Sequence, residues 1–365
     1  MNIICQSFAF APGNGAVAEY HILLSVGKAA LPYEEQLAHL LQAYREASAG
    51  KTVQFRRFFL SDGANQADAL REALEAFPSV PTSIVGQAPL DGTRIALWMY
   101  CTSPMDAPGG IPSHNGYSHH WVGSLVSPGA GPEAQMGGIF RTLDRSLGER
   151  GLCVARDTVR TWIFVRDADV NYAGVVTGRR DYFTGIGLTP ATHFIASTGI
   201  EGRHPDHRNL VEMDAYSVGG LGEGQVRYLH ALDHLSPTAV YGVTFERGTA
   251  ITYGDRQHLF ISGTASIDAE GQVLYPGDAS LQARRMLENI SALLAEGGAG
   301  LGDIAAAIVY LRDPADYPLV KETVSGICPN LRALYVHGPV CRPAWLVEME
   351  CLVVTPSGDS AFKVF

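Results

Sequence analysis

The sequence predicts an α+β protein in which one unit of helices and strands occurs three times in a single chain. Three observations predict it. A segment from Gln135 resembles one from Gln282 in the order helix, strand, helix; both copies close on Leu-Val-Glu-Met and an acid, LVEMDAYSV from Leu210 and LVEMECLVV from Leu346; and a fainter copy opens at Tyr33. Internal repeats of this kind are units that bury a face only against their siblings. Helices cover one face of each small sheet, and an apolar second face packs on two siblings, so three copies form a closed intramolecular trimer and the chain is expected to be a monomer. The expected division is 1–105, 106–220 and 221–365.

The first copy reads as a helix from Tyr33 (YEEQLAHLLQAYREA), a strand from Val53 (VQFRRFFLSD), a helix from Asn65 (NQADALREALEAF) and a strand from Thr93 (TRIALWMY). Ala-Pro-Gly-Gly-Ile-Pro from Ala107 marks a turn. In the second copy Phe140, Leu143 and Leu147 recur at helical spacing before the strand TWIFVRD (Thr161 to Asp167) and the helix NYAGVVTGRRDYF. The third copy follows a strand pair, VTFERGTAITYG and RQHLFISGTASID. It then repeats the pattern with Leu287, Ile290 and Leu294, AIVYLRD (Ala307 to Asp313) and DYPLVKETV. Asp62 to Leu97 and Asp313 to Glu348 each span 35 residues, whereas Asp167 to Glu212 spans 45. The ten extra residues are assigned to a surface loop in the polar stretch EGRHPDHRN from Glu201.

Composition removes several classes of function. The chain of 365 residues has 27 Lys and Arg against 37 Asp and Glu, a net charge of -10 that repels polyanions, so nucleic acid is not an expected partner. No apolar run reaches the roughly 18 residues of a membrane helix. Met1 to Tyr20 lacks a basic start ahead of an apolar stretch, so no signal peptide is predicted and the expected location is the cytoplasm. Six cysteines without CxxC spacing read as thiols. His114, His119 and His120 in SHNGYSHHW, which reads as a loop, and His204 and His207 lack the companions of a metal site, so no metal is expected. GGLGEGQ from Gly219 is not a dinucleotide-binding fingerprint, and no GxSxG elbow occurs.

In LVEMECLV side chains alternate, so Glu348 and Glu350 share one face while Val347, Met349 and Cys351 share the other. Exposed, the pair is two solvated acids; enclosed, mutual repulsion and desolvation keep one of them protonated near neutral pH. The second copy retains the pair as Glu212 and Asp214, and spacing matches it to Leu97 and Met99 in the first. Cys341, in VHGPVCRP, is either a core thiol or a reactive one, and Arg342 beside it suits an anion. Arg247, in TFERGT, offers a fork for a carboxylate, and Tyr241 stands close by in VYGVTF.

The last third resembles the small trimeric Rid (YjgF) imine and enamine deaminases in its helix, strand and final VExE. A fuller resemblance, over about residues 140 to 354, is to the chorismatases. It is carried by RTWIFV from Arg160, ASTGI from Ala196, SPTAVYGVTFERGT from Ser236, LFISGTASI from Leu259 and CRPAWLVEME from Cys341. That resemblance implies conversion of chorismate, without metal or organic cofactor, to a dihydroxycyclohexadiene carboxylate or a hydroxybenzoate, with pyruvate released. It places the catalytic acid on Glu348, with Glu350 helping to hold its proton, and the two product-determining positions on Gly263 and Cys341, a pairing like the 3-hydroxybenzoate-forming type. The two substrate carboxylates would be met by Arg247, Arg342 and Arg203. An imine deaminase and a non-catalytic small-acid binder are the alternatives.

Overall fold

The computed structural model describes residues 3–13, 15–27 and 30–365, except the side chains of Pro108 and Tyr241. Three sheets follow one plan. The first repeat contains β1 (Ile3–Phe10), β2 (Glu19–Val26), α1 (Tyr33–Ser48), β3 (Thr52–Leu60), α2 (Gly63–Leu74), β4 (Thr82–Gly86) and β5 (Ile95–Thr102). The second contains β6 (Ser113–His114), β7 (Tyr117–Leu125), α3 (Pro132–Gly148), α4 (Val154–Asp157), β8 (Thr158–Val165), α5 (Ala168–Gly185), β9 (Ala196–Glu201) and β10 (Val211–Gly219). The third contains β11 (Val226–Leu229), β12 (Gly248–Thr252), β13 (Gln257–Ala265), α6 (Ala279–Glu296), β14 (Ile304–Leu311), α7 (Tyr317–Ile327), β15 (Ala333–His337) and β16 (Val347–Thr355). The strand orders are β1-β2-β5-β3-β4, β6-β7-β10-β8-β9 and β11-β12-β13-β16-β14-β15. In each, the last strand lies inside the sheet, and the strands flanking the crossover helix (α2, α5 or α7) pair in parallel, as a crossover requires.

Each sheet buries both faces. Helices α1 and α2 cover one face of the first sheet over Leu37, Leu40, Leu70, Phe58 and Leu97, and α3 and α5 do the same for the second over Ile139, Phe140, Val175 and Ile163. The opposite faces meet in a shared centre where Phe55, Trp98, Trp121, Trp162, Tyr216 and Phe260 come together from all three repeats. Their rings stack or meet edge to face, Trp121 on Tyr216 at 4.2 Å and Phe55 on Trp121 at 4.8 Å between centroids. These contacts make the chain an intramolecular pseudo-trimer.

Three details depart from the sequence reading. Leu60 pairs with Ile95 and Leu311 with Val347, so Ala96 and Trp98, rather than Leu97 and Met99, take the places of Glu348 and Glu350. The turn before β5 is one residue shorter than that before β16, and a shift by one moves every side chain to the other face: Leu97 and Met99 lie under the helices, Trp98 in the shared centre. The extra length of the second repeat lies in α5, 18 residues against 11 in α7, and in the segment leading to β9, while the stretch from Glu201 is an ordinary turn into β10. His114, His119 and His120 stand on the hairpin β6–β7 rather than in a loop.

Candidate active site at the seam of the second and third repeats

Strand β16 places Glu348 opposite Tyr310 of β14 and Ala265 of β13, and Glu350 opposite Ile308. Both carboxyl groups are buried, and their surroundings differ. Glu350 is held from three strands: Arg160 Nη2 lies 2.6 Å from Oε2, the Thr198 hydroxyl donates to the same oxygen, and Tyr310 OH donates to Oε1 at 3.0 Å. Arg57, from the first repeat, stands 3.7 Å from Oε1 and forms its tight ion pair with Asp214 at 2.7 Å. Glu350 is therefore a buried, fully partnered acid outside the lining of the cavity that Glu348 faces, and it acts on its neighbour through charge.

Glu348 has no hydrogen-bond donor among the described residues, and its carboxyl opens onto a cavity of about 260 Å³. Burial, reinforced by the charge of Glu350, pushes its pKa up to about 8, against opposing pulls from Arg247 and Arg160. It is a neutral acid at physiological pH. The ladder of β13 is interrupted between Ile261 and Thr264, and this bulge brings the Gly263 backbone beneath the Glu348 carboxyl, with its N–H on Thr198 Oγ1 at 2.9 Å. A Cβ at 263 would lie 2.8 Å from Glu348 Cδ and 3.0 Å from Thr198 Cγ2, so the position has room for glycine alone while Glu348 stays where it is.

Two repeats wall the cavity. Helix α5 supplies Tyr172, Val176 and Arg179, and β9 supplies Ser197 and Gly199; the third repeat supplies Phe245, Arg247, Cys341, Arg342 and Trp345 around Glu348. Three guanidinium groups thus line one small space in an acidic protein. Arg247 and Arg179 flank the Phe245 ring at 5.5 and 6.0 Å and are anchored on Ser236 O and Thr244 Oγ1, and Arg342 lies 5.2 Å over Trp345. Such a set suits an anion carrying more than one carboxylate, beside a group able to deliver a proton. Burial and the nearby Glu348 push the Cys341 thiol up to about 12, against a smaller opposing pull from Tyr172, so it is a neutral thiol rather than a thiolate.

Glu348, Cys341, Gly263, Arg247 and Arg342 come together as the sequence reading grouped them. Arg203 does not join them: it is 53% exposed and pairs with Asp167 and Glu201, both at 3.1 Å. Tyr241 closes the turn Thr238–Tyr241, and its side chain lies outside the described residues. Sequence reasoning missed Tyr172 and Arg179, which sit on a helix read only as packing, and Arg160 and Arg57. These last two carried a signal, since each is a charge inside a strand otherwise built to be buried. Among the described residues no group of three His, Cys, Asp or Glu side chains is placed to hold a metal, and no helix is long and apolar enough to cross a membrane.

The third repeat carries the sequence likeness to known proteins. Residues 249–355 match the family described as Endoribonuclease L-PSP. The 3-aminoacrylate deaminase RutC of Acinetobacter baylyi is 33% identical over 93 residues, 25% of this chain and 74% of that protein. The chain belongs to the RutC family. A second RutC family protein, from Pyrococcus abyssi, is 39% identical over 96 residues, 26% of this chain and 76% of its own length. The RutC-like unit therefore fills about a quarter of this chain, and the whole chain has the fold of a chorismatase. That crystal structure superposes with a TM-score of 0.65 at 19% identity, covering 93% of this chain and 100% of the other. The shared fold extends through the first repeat, which bears no chorismatase-like motif in its sequence.

Proposed function

We propose that the chain is a chorismatase-like enzyme that takes a small dicarboxylate enol ether, chorismate, and releases pyruvate, with Glu348 as the general acid. The observation that carries this reading is the neutral, buried Glu348 facing a cavity ringed by three arginines. Protonation of the terminal methylene carbon of the enol ether gives an oxocarbenium ion at the ether carbon. Water adding there forms a hemiketal that collapses to pyruvate and the ring alcohol; a ring oxygen adding instead leads toward the hydroxybenzoate. Arg247, Arg342 and Arg179 hold the two carboxylates, and Cys341 at the wall is a neutral thiol rather than a nucleophile. No step calls on a cofactor.

Mixing the purified chain with chorismate and following pyruvate through lactate dehydrogenase tests the reading, and turnover no faster than the buffer background overturns it. The rate should fall as pH rises through about 8, because the acid is then lost to ionisation. A flat profile between pH 6 and 10 contradicts Glu348 as the donor.

We infer 3-hydroxybenzoate as the ring product, on the chorismatase resemblance carried by Gly263 and Cys341. In Gly263→Ala the new methyl group displaces the Glu348 carboxyl and narrows the floor. The expected result is a switch in the major ring product toward the dihydroxycyclohexadiene carboxylate, read by chromatography; an unchanged product ratio removes Gly263 from this role.

A second reading has one specific support, the 3-aminoacrylate deaminase among the relatives. An enamine acid presents the same problem, a carbon to be protonated beside a carboxylate, and the same acid serves it. Ammonia released from an enamine or imine acid, with chorismate untouched, would favour this reading over the first.

A further inference from the structure

The three seams of the pseudo-trimer are equivalent by topology, and a second one is also hollow. A cavity of about 180 Å³ lies between the third repeat and the first, with Ala96 on its wall. Ala96 is the counterpart of Glu348, so this cavity has the place of the active-site cavity without its acid. The correspondence extends to its other walls. Tyr317, Lys321 and Ser325 line it from one face of α7, the helix equivalent to α5 with its Tyr172, Val176 and Arg179. By strand register Ala333 and Tyr335 replace Ser197 and Gly199. Asp91, in the turn before β5, replaces Arg342 in the turn before β16.

These exchanges change what the space can bind. The proton donor is gone, one arginine position has become an acid, and a lysine has entered from the helix. Lys321 Nζ donates to Tyr317 OH at 2.9 Å, which holds the ammonium at the cavity. Asp91 receives Thr93 N–H and Oγ1 on Oδ1, at 3.0 and 2.6 Å, and its Oδ2 has no partner among the described residues. Ser25, 5% exposed, lines the wall with a hydroxyl that likewise has no partner among them. Between the charges the lining is apolar and aromatic: Leu331, Leu334, Pro89 and the Tyr317 and Tyr335 rings, edge to face at 5.5 Å.

We propose that this seam is a second, non-catalytic binding site for a small α-amino acid with an apolar side chain, its carboxylate at Lys321, its ammonium group at Asp91 and its side chain between the tyrosines and leucines. One cation and one anion on the same small cavity select a zwitterion over a plain acid or a plain amine, because only the zwitterion answers both groups at once. The site is independent of which reaction the other seam carries out.

Titration calorimetry of the full chain with L-phenylalanine, 3-phenylpropionate and phenethylamine tests this, since the three differ only in which charges they carry. Phenylalanine should bind at least tenfold more tightly than either of the others. Lys321→Met and Asp91→Asn should each weaken it at least tenfold; both residues are exposed, and asparagine retains an acceptor for Thr93, so the fold is not at stake. Arg342→Met, in the other cavity, should leave phenylalanine affinity unchanged. No binding of phenylalanine, equal binding of phenylpropionate, or loss of binding in Arg342→Met with none in Lys321→Met, each overturns the proposal.

Discussion

Glu348→Gln should abolish pyruvate release from chorismate and at the same time stabilise the protein at alkaline pH. Loss of a positioned general acid costs about 10² to 10⁴ in rate, and glutamine, which nearly matches the shape, cannot donate the proton. The stability gain follows from the same burial. In the folded chain Glu348 holds its proton up to about pH 8, whereas an unfolded glutamate releases it near the ordinary value of 4.5. Between those pH values the native state binds more protons than the unfolded one, so the group's contribution to stability falls as pH rises through the window and reaches its most unfavourable above pH 8. A neutral glutamine is exempt. At pH 9 the variant should be more stable than the wild type by a few kcal/mol, on the order of the shift at about 1.4 kcal/mol per unit, and the difference should vanish toward pH 4. Chemical denaturation at the two pH values checks this, and equal stability at pH 9 would mean that Glu348 ionises freely. Glu212, with its pKa raised to about 8 by burial and Asp214, gives a control: Glu212→Gln should share the stability gain and retain turnover, because its carboxyl is capped by the Ser124 hydroxyl at the seam of the first and second repeats.

Arg57→Met should cause the largest loss of stability among single substitutions outside the apolar core. Arg57 is fully buried, pairs with Asp214 through Nη2 and Nε at 2.7 and 2.8 Å, and lies against the Trp98, Trp162 and Phe164 rings at about 5 Å. It joins the first repeat to Asp214 of the second and to Glu350 of the third. Removing it leaves Asp214 buried without a counter-charge, a change that typically costs about 3–5 kcal/mol. Asp214→Asn combined with Arg57→Met should recover part of the loss, since the stranded charge is then gone. A thermal unfolding midpoint for Arg57→Met within a degree or two of the wild type would show that the central ion pairs do not tie the repeats together. Recovery in the double variant separates a stranded charge from simple loss of packing volume, which the second substitution cannot restore.

Much of this was legible in the sequence, and the physical reasons are particular. Leu-Val-Glu-Met and an acid recur because β10 and β16 have the same task, one face under helices and one facing a seam, and a period of two exposes that division directly. Alternation puts Glu348 and Glu350 on one face, and the resemblance of the closing VExE singles out Glu348. Alternation could not separate their roles, which depend on Arg160, Thr198 and Tyr310 arriving from other strands to partner Glu350 and leave Glu348 free. The first repeat was misaligned by one residue because counting from Asp62 to Leu97 includes a turn whose length is not preserved, and one residue is enough to exchange the faces of a strand. Arg203 looked like a carboxylate ligand for want of any view of Asp167 and Glu201, which hold it at the surface. Arg179 and Tyr172 were missed for the opposite reason: they lie in the second repeat and serve a site whose acid belongs to the third.

The direct test of the central claim is the ionisation of Glu348 itself, followed by difference infrared spectroscopy of the protonated carboxyl stretch between wild type and Glu348→Gln across pH 5 to 10, without substrate. A protonated carboxyl, absent from the variant, should titrate near pH 8. A carboxylate at position 348 already ionised at pH 6 would contradict the claim.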